Sequence, residues 1–169
     1  MGTYIPIAKT VLTGTQATVT FSGIPATYTD LLLVMSARSD YAGGYGDIVK
    51  IRYNNSGADT NLTSRRIQGY NAAVTSGSSA FLYFGIMSTS LGTSNTFASA
   101  EVYIPNYTGS TNKPASSTSV MEQNDTTNYF LQAHAGLWSD TTAINRIDLI
   151  SNTGSNFVSG SRFDLYGII

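Results

Sequence analysis

Turn-forming residues interrupt this sequence at short intervals along its whole length. The stretches between them alternate apolar with polar side chains, a division that leaves room for short strands and little else. Gly, Pro, Asn, Asp, Ser and Thr cluster at 13–15, 23–25, 40–46, 54–59, 75–79, 106–114, 124–128, 139–142 and 152–156. Each of these residue types either adopts a turn conformation cheaply or bonds its own backbone, and so ends a strand. The segments between, 4–12, 17–21, 30–39, 47–53, 63–70, 80–87, 96–104, 116–122, 129–138, 145–150 and 161–168, are expected to be strands, about ten in all.

Period-two alternation is plain in several of them. Ala17, Val19 and Phe21 oppose Thr18 and Thr20; Val102 and Ile104 oppose Glu101 and Tyr103; Ile147 and Leu149 oppose Arg146 and Asp148. In the last segment, Phe163 and Leu165 fall on one face and Arg162, Asp164 and Tyr166 on the other, as in a half-buried antiparallel strand that closes a sheet. The chain is therefore expected to end where its fold ends. The run Leu31 to Val34 breaks the rule, because four large aliphatics follow one another. A central strand covered on both faces, or one held in a subunit contact, explains such a run, and a short helix is the competing reading. No internal repeat is evident. That many antiparallel strands in a single domain, 1–169, predict an all-β, two-sheet antiparallel sandwich, jelly-roll-like.

Composition supports this reading. Only 11% of residues are charged, against about 25% in a typical domain, and Ser, Thr and Asn stand where a helical protein would place Lys and Glu. At 169 residues with 41% hydrophobic residues the chain can build a core without staples, and it has no cysteine to make one. The net charge of -1 and the scatter of basic residues, with Arg65 and Arg66 the one adjacent pair singled out, make nucleic acid an unexpected partner. The first residues lack a basic region and a long apolar run, so neither a secretory signal nor a membrane span is expected. Pro6 stands where a myristoylation motif at Gly2 needs Ser or Thr.

Little here suggests catalysis. His134 is the single histidine, and no nucleophile motif accompanies it, so a structural role is expected over that of a general base. Glu101 and Glu122, the glutamates, are a candidate carboxylate pair of the kind glycosidases use, though surface roles on strands are the expectation. Asp40 and Asp47 flank the loop SDYAGGYGD in no EF-hand spacing, which favours a connecting loop over a calcium site. No metal or cofactor is expected. Tyr41 and Tyr45 on the same loop are candidate contact residues for a protein or sugar. Trp138 reads as a core residue ahead of a sugar platform. Asn-x-Ser/Thr matches at Asn54, Asn61, Asn106 and Asn124 carry no weight in a chain this rich in those residues.

Four segments, FSGIPATYTDLLLVMSARSD (21–40), ASAEVYIPNYTGSTNKPASS (98–117), AGLWSDTTAINRIDL (135–149) and NFVSGSRFDLYGII (156–169), resemble a group of short all-β structural proteins of tailed bacteriophages, including phages of cyanobacteria. The likeness covers nearly the whole chain, and none of its motifs is catalytic. It implies a non-enzymatic virion protein, made in the host cytoplasm and placed on the outer capsid surface. There it would act as a decoration or cement protein that binds the major capsid protein as a homo-oligomer, a trimer in the favoured case. A tail, baseplate or fibre module that recognises a host surface glycan is the alternative; the single-domain length favours decoration over a fibre tip. Tyr4, Ile5 and Ile7 are expected in a subunit or capsid contact, because an N-terminal strand edge is a template for strand addition.

Overall fold

The computed structural model describes residues 2–55 and 59–169. Part of the turn expected at 54–59 lies outside the described residues. Those residues form twelve strands: β1 (Tyr4–Val11), β2 (Thr18–Ser22), β3 (Asp30–Ala37), β4 (Gly46–Tyr53), β5 (Leu62–Tyr70), β6 (Ala73–Ser79), β7 (Leu82–Ser88), β8 (Ala98–Ile104), β9 (Lys113–Met121), β10 (Phe130–Trp138), β11 (Arg146–Ser151) and β12 (Arg162–Ile168). They make an eight-stranded sheet, β1-β12-β3-β8-β9-β10-β5-β6, and a four-stranded sheet, β2-β11-β4-β7, antiparallel throughout.

Setting aside β5–β6 and β9–β10 leaves eight strands in which β1 pairs β12, β2 pairs β11, β3 pairs β8 and β4 pairs β7. That is the pairing of one long hairpin rolled over on itself, an arrangement compatible with a jelly roll. The two remaining hairpins extend the larger sheet beyond β8 and meet where β10 pairs β5. The chain's two ends also meet, since Thr3 and Ile169 exchange backbone hydrogen bonds of 3.3 Å each.

The core lies between the sheets. Leu31, Leu33 and Met35 of β3, Val102 and Ile104 of β8, and Phe163 and Leu165 of β12 face Val49, Ile51 and Tyr53 of β4 and Ile147 and Leu149 of β11, all essentially buried. Trp138 packs against Tyr53 with ring centroids 5.2 Å apart, so it is a core residue. The aliphatic run in β3 is a strand, and its alternate residues Leu32 and Val34 are half-buried on the outer side.

One expectation fails outright. Residues 75–79, expected as a turn, belong to β6, which pairs residue for residue with β5 from Tyr70↔Ala73 to Ser64↔Ser79. Its sequence AVTSGSS is rich in small polar residues that resemble loop chemistry, yet the pairing with β5 overrides that local signal. The segment expected as a turn at 106–114 is likewise shortened, because β9 begins at Lys113.

Candidate interaction surface

The outer face of the eight-stranded sheet is the most unusual part of the molecule. Over the middle of β10, and at Ile67 of β5, the alternation is inverted. Gln132 and His134 of β10 and Ser64 of β5 are buried on the inner side, while Leu131 (64% exposed) and Ile67 (56%) point outward with Ala133 and Ala135. An apolar phase directed at solvent costs solvation free energy that a conventional strand avoids.

Register assembles these residues into a patch. Val120 of β9 lies opposite Leu131, Leu131 opposite Gly69, and Gly69 opposite Val74 of β6, forming one row across four strands. Ile67 sits in the neighbouring row opposite Ala133. Gly69 leaves a shallow groove of about 390 Å³ between Ile67, Val74 and Leu131. Towards the other edge, Tyr4, Leu32 and Tyr166 line a second depression of about 240 Å³. Near it the Tyr103 hydroxyl donates to Asp30 at 2.8 Å, and that carboxylate raises the Tyr103 phenol above its ordinary value.

Charge on this face is sparse and balanced. Lys9, Arg65 and Arg162 stand against Asp30, Glu101 and Asp164, and Arg162 bonds Asp164 directly. By contrast, the outside of the smaller sheet is ion-paired: Lys50 and Arg52 bind Asp59 at 2.9 and 2.8 Å, and Arg146 binds Asp148 at 2.9 Å. Eight strands seven to nine residues long, at about 4.8 Å spacing, give the larger outer face on the order of 1000 Å², enough for the roughly 800 Å² each partner contributes to a standard interface.

The residues expected at a contact fall in two places. Tyr4 is 58% exposed on the outer face, whereas Ile5 and Ile7 are half-buried and Ile7 packs against the core beside the register shift between Pro6 and Ala8. Tyr41 is half-buried, its carbonyl taking hydrogen bonds from the amide and hydroxyl of Ser90, and Tyr45 is 42% exposed. Tyr4 lies near the start of β3 and the Tyr41 loop follows its end, about 23 Å away along the strand. The structure therefore does not bring Tyr4, Ile5 and Ile7 together with Tyr41 and Tyr45. Ile67, Val74, Val120 and Leu131 were not singled out from the sequence; the available signal was Leu131 lying out of phase with the expected core.

The chemical candidates are held by neighbouring groups, except that the buried Nδ1 of His134 has no partner among the described residues. His134 stacks on Tyr83 at 5.0 Å, and its Nε2 lies 3.2 Å from Gln132 Oε1, which also accepts from Ser119. Burial first, and the Arg66 guanidinium second, pull its imidazole down to about 4. Arg66 donates to the Tyr83 hydroxyl at 2.8 Å. This polar cluster sits at the margin of the sandwich, under β7. Glu101 accepts from Thr118, while Glu122 binds the Asn124 amide four residues further along, about 13 Å, beyond the separation of paired glycosidase carboxylates. Asp40 binds Asn156, and Asp47 binds Ser151 and Thr153, so both carboxylates brace the segment that leaves β11, each through its own partners. Arg65 and Arg66 point to opposite faces of β5.

No protein-family description, no curated protein and no solved structure matches this chain.

Proposed function

We propose that this protein is a non-enzymatic structural component of a tailed-phage virion, a decoration or cement protein that seats the outer face of its eight-stranded sheet on the major capsid protein. In this role it acts as a homo-oligomer on the outer capsid surface and stabilises contacts between capsomers. The resemblance of its four segments supplies the virion setting. The observation that carries the contact is the inverted alternation in the middle of β10, with Ile67 of β5 beside it: a strand that turns Gln132 and His134 inward and Leu131, Ala133 and Ala135 outward is suited to a further layer from a partner. A neutral face favours many modest contacts repeated over a lattice, where mass action supplies the stability.

The test is the number of copies per purified virion relative to the major capsid protein, by quantitative mass spectrometry. A simple fraction of the capsid subunits is the expected result; a handful of copies would move the protein to the tail. The second reading, a tail or baseplate module that recognises host glycan, draws on the depression formed by Tyr4, Leu32 and Tyr166, with Tyr103 and Asp30 beside it. Aromatic rings next to a carboxylate suit a sugar ring, and a glycan array comparing wild type with Tyr4→Ala tests it. Removing residues 2–7 is a poorer test, since it also takes Ile7 from the core.

A further inference from the structure

We infer that the free edge of β6 pairs antiparallel with β6 of a second copy of this chain, joining two eight-stranded sheets into one. The two edges of the larger sheet differ in how they are protected. β1, YIPIAKTV, carries Pro6, which has no N–H, a register shift between Pro6 and Ala8, and Lys9. Proline, bulges and lysine are the devices that stop strands from adding to an edge. β6 has none of them. It is seven residues long, without charge or proline, pairs with β5 without a register shift, and is exposed at residues 73–76 and 78.

The geometry defines which groups are free. A two-residue turn at 71–72 closes the hairpin, so Tyr70↔Ala73 is a hydrogen-bonded pair. Alternate pairs then follow suit. Ala73, Thr75, Gly77 and Ser79 turn their backbone to β5, and Val74, Ser76 and Ser78 present N–H and C=O groups to the open edge. These three residues are symmetric about Ser76. A two-fold axis through that point sets Ser76 against Ser76, and Val74 of each copy against Ser78 of the other, forming on the order of six backbone hydrogen bonds.

The occupant is a second copy because the edge matches itself. No like charges meet along it, and the isologous two-fold is the commonest closed symmetry. A charged peptide finds no counter-charge on β6. Addition of β1 to β6 would meet Pro6, the register shift and Lys9. The axis stands perpendicular to the sheet, so both copies turn their outer faces to the same side. Val74, 75% exposed, and its neighbour in the patch, Leu131, then become central to one continuous surface. This two-fold pair stands in place of the trimer that the resemblance implies, and it holds whether or not the partner of the outer face is a capsid.

Sedimentation equilibrium from about 1 to 100 µM tests the inference. The expected mass for the wild type at the upper end is twice 18.0 kDa, falling towards one copy on dilution. Ser76→Pro removes an outward N–H that does not serve β5, so it should sediment as one copy with unchanged far-ultraviolet circular dichroism. Ser76→Lys, which places a charge on each side of the axis, should do the same and serves if the proline disturbs the hairpin. A wild type of 18.0 kDa throughout, a trimeric mass, or a dimer surviving both substitutions would each overturn the inference.

Discussion

Seven asparagines, Asn54, Asn55, Asn61, Asn71, Asn95, Asn106 and Asn124, hold a backbone with φ between 47° and 62°. Apart from glycine, asparagine tolerates this left-handed region best. Four of them head the Asn-x-Ser/Thr matches, so those matches follow from turn geometry. Asn54 shows the stake: its Oδ1 accepts from the amides of Asn145 and Arg146, and its Nδ2 donates to the Ala143 carbonyl at 2.8 Å. Asn54→Ala is expected to cost about 2 kcal/mol in urea denaturation, with Asn54→Gly recovering the backbone part. His134 gives a pH signature. Its folded value near 4 lies below its ordinary 6.5, so the unfolded chain takes up the proton first. Its contribution to stability is whole above pH 6.5, is lost as the pH falls towards 4, and amounts to at most about 3 kcal/mol. The wild type should lose more stability than His134→Gln between pH 7 and pH 4.5, and equal losses would refute the assignment.

At the scale of the element, Gly85 of β7 fits where no side chain does. A Cβ there would lie 2.7 Å from Ser119 Cβ and 2.8 Å from Ala100 Cβ, in the strands β7 packs against. Gly85→Val is expected to lower stability by about 1–3 kcal/mol or more through overpacking, read as a drop in the denaturation midpoint. The strands were largely legible in the sequence because alternation and turn residues agree over β2, β8, β11 and β12. β6 was not, since Val74 is its one large apolar residue and its turn, Asn71 followed by Ala72, lacks the Asn-Gly signature of a tight hairpin. The candidate surface was less legible still. Alternation reveals that a strand has two unlike faces, and on β10 the apolar one would ordinarily be placed inside. What sends Leu131 outward is the pairing of β10 between β9 and β5, a long-range arrangement that no local pattern encodes.

At the scale of the whole molecule, the extra hairpins are separable from the rolled-up eight strands in role. β5, β6, β9 and β10 contribute Ile67, Val74, Val120 and Leu131, the patch that leaves the molecule facing water. On the proposed seating against a capsid, Leu131→Asp is expected to weaken shell binding at least tenfold, about 1.4 kcal/mol, while shifting folding stability by less than about 1 kcal/mol, as exposed sites do. Arg52→Ala, on the ion-paired outside of the smaller sheet, should leave shell binding unchanged. Co-sedimentation with shells distinguishes the two faces, and equal loss in both variants would refute the choice of face. The meeting of Thr3 with Ile169 has a practical corollary. A tag or display peptide fused to either end emerges from the same corner, six to seven strand spacings or about 29–34 Å from β6. A short linker across that corner would make a circular chain, which can be reopened at the turn between β5 and β6 to place new ends at the opposite margin of the sheet.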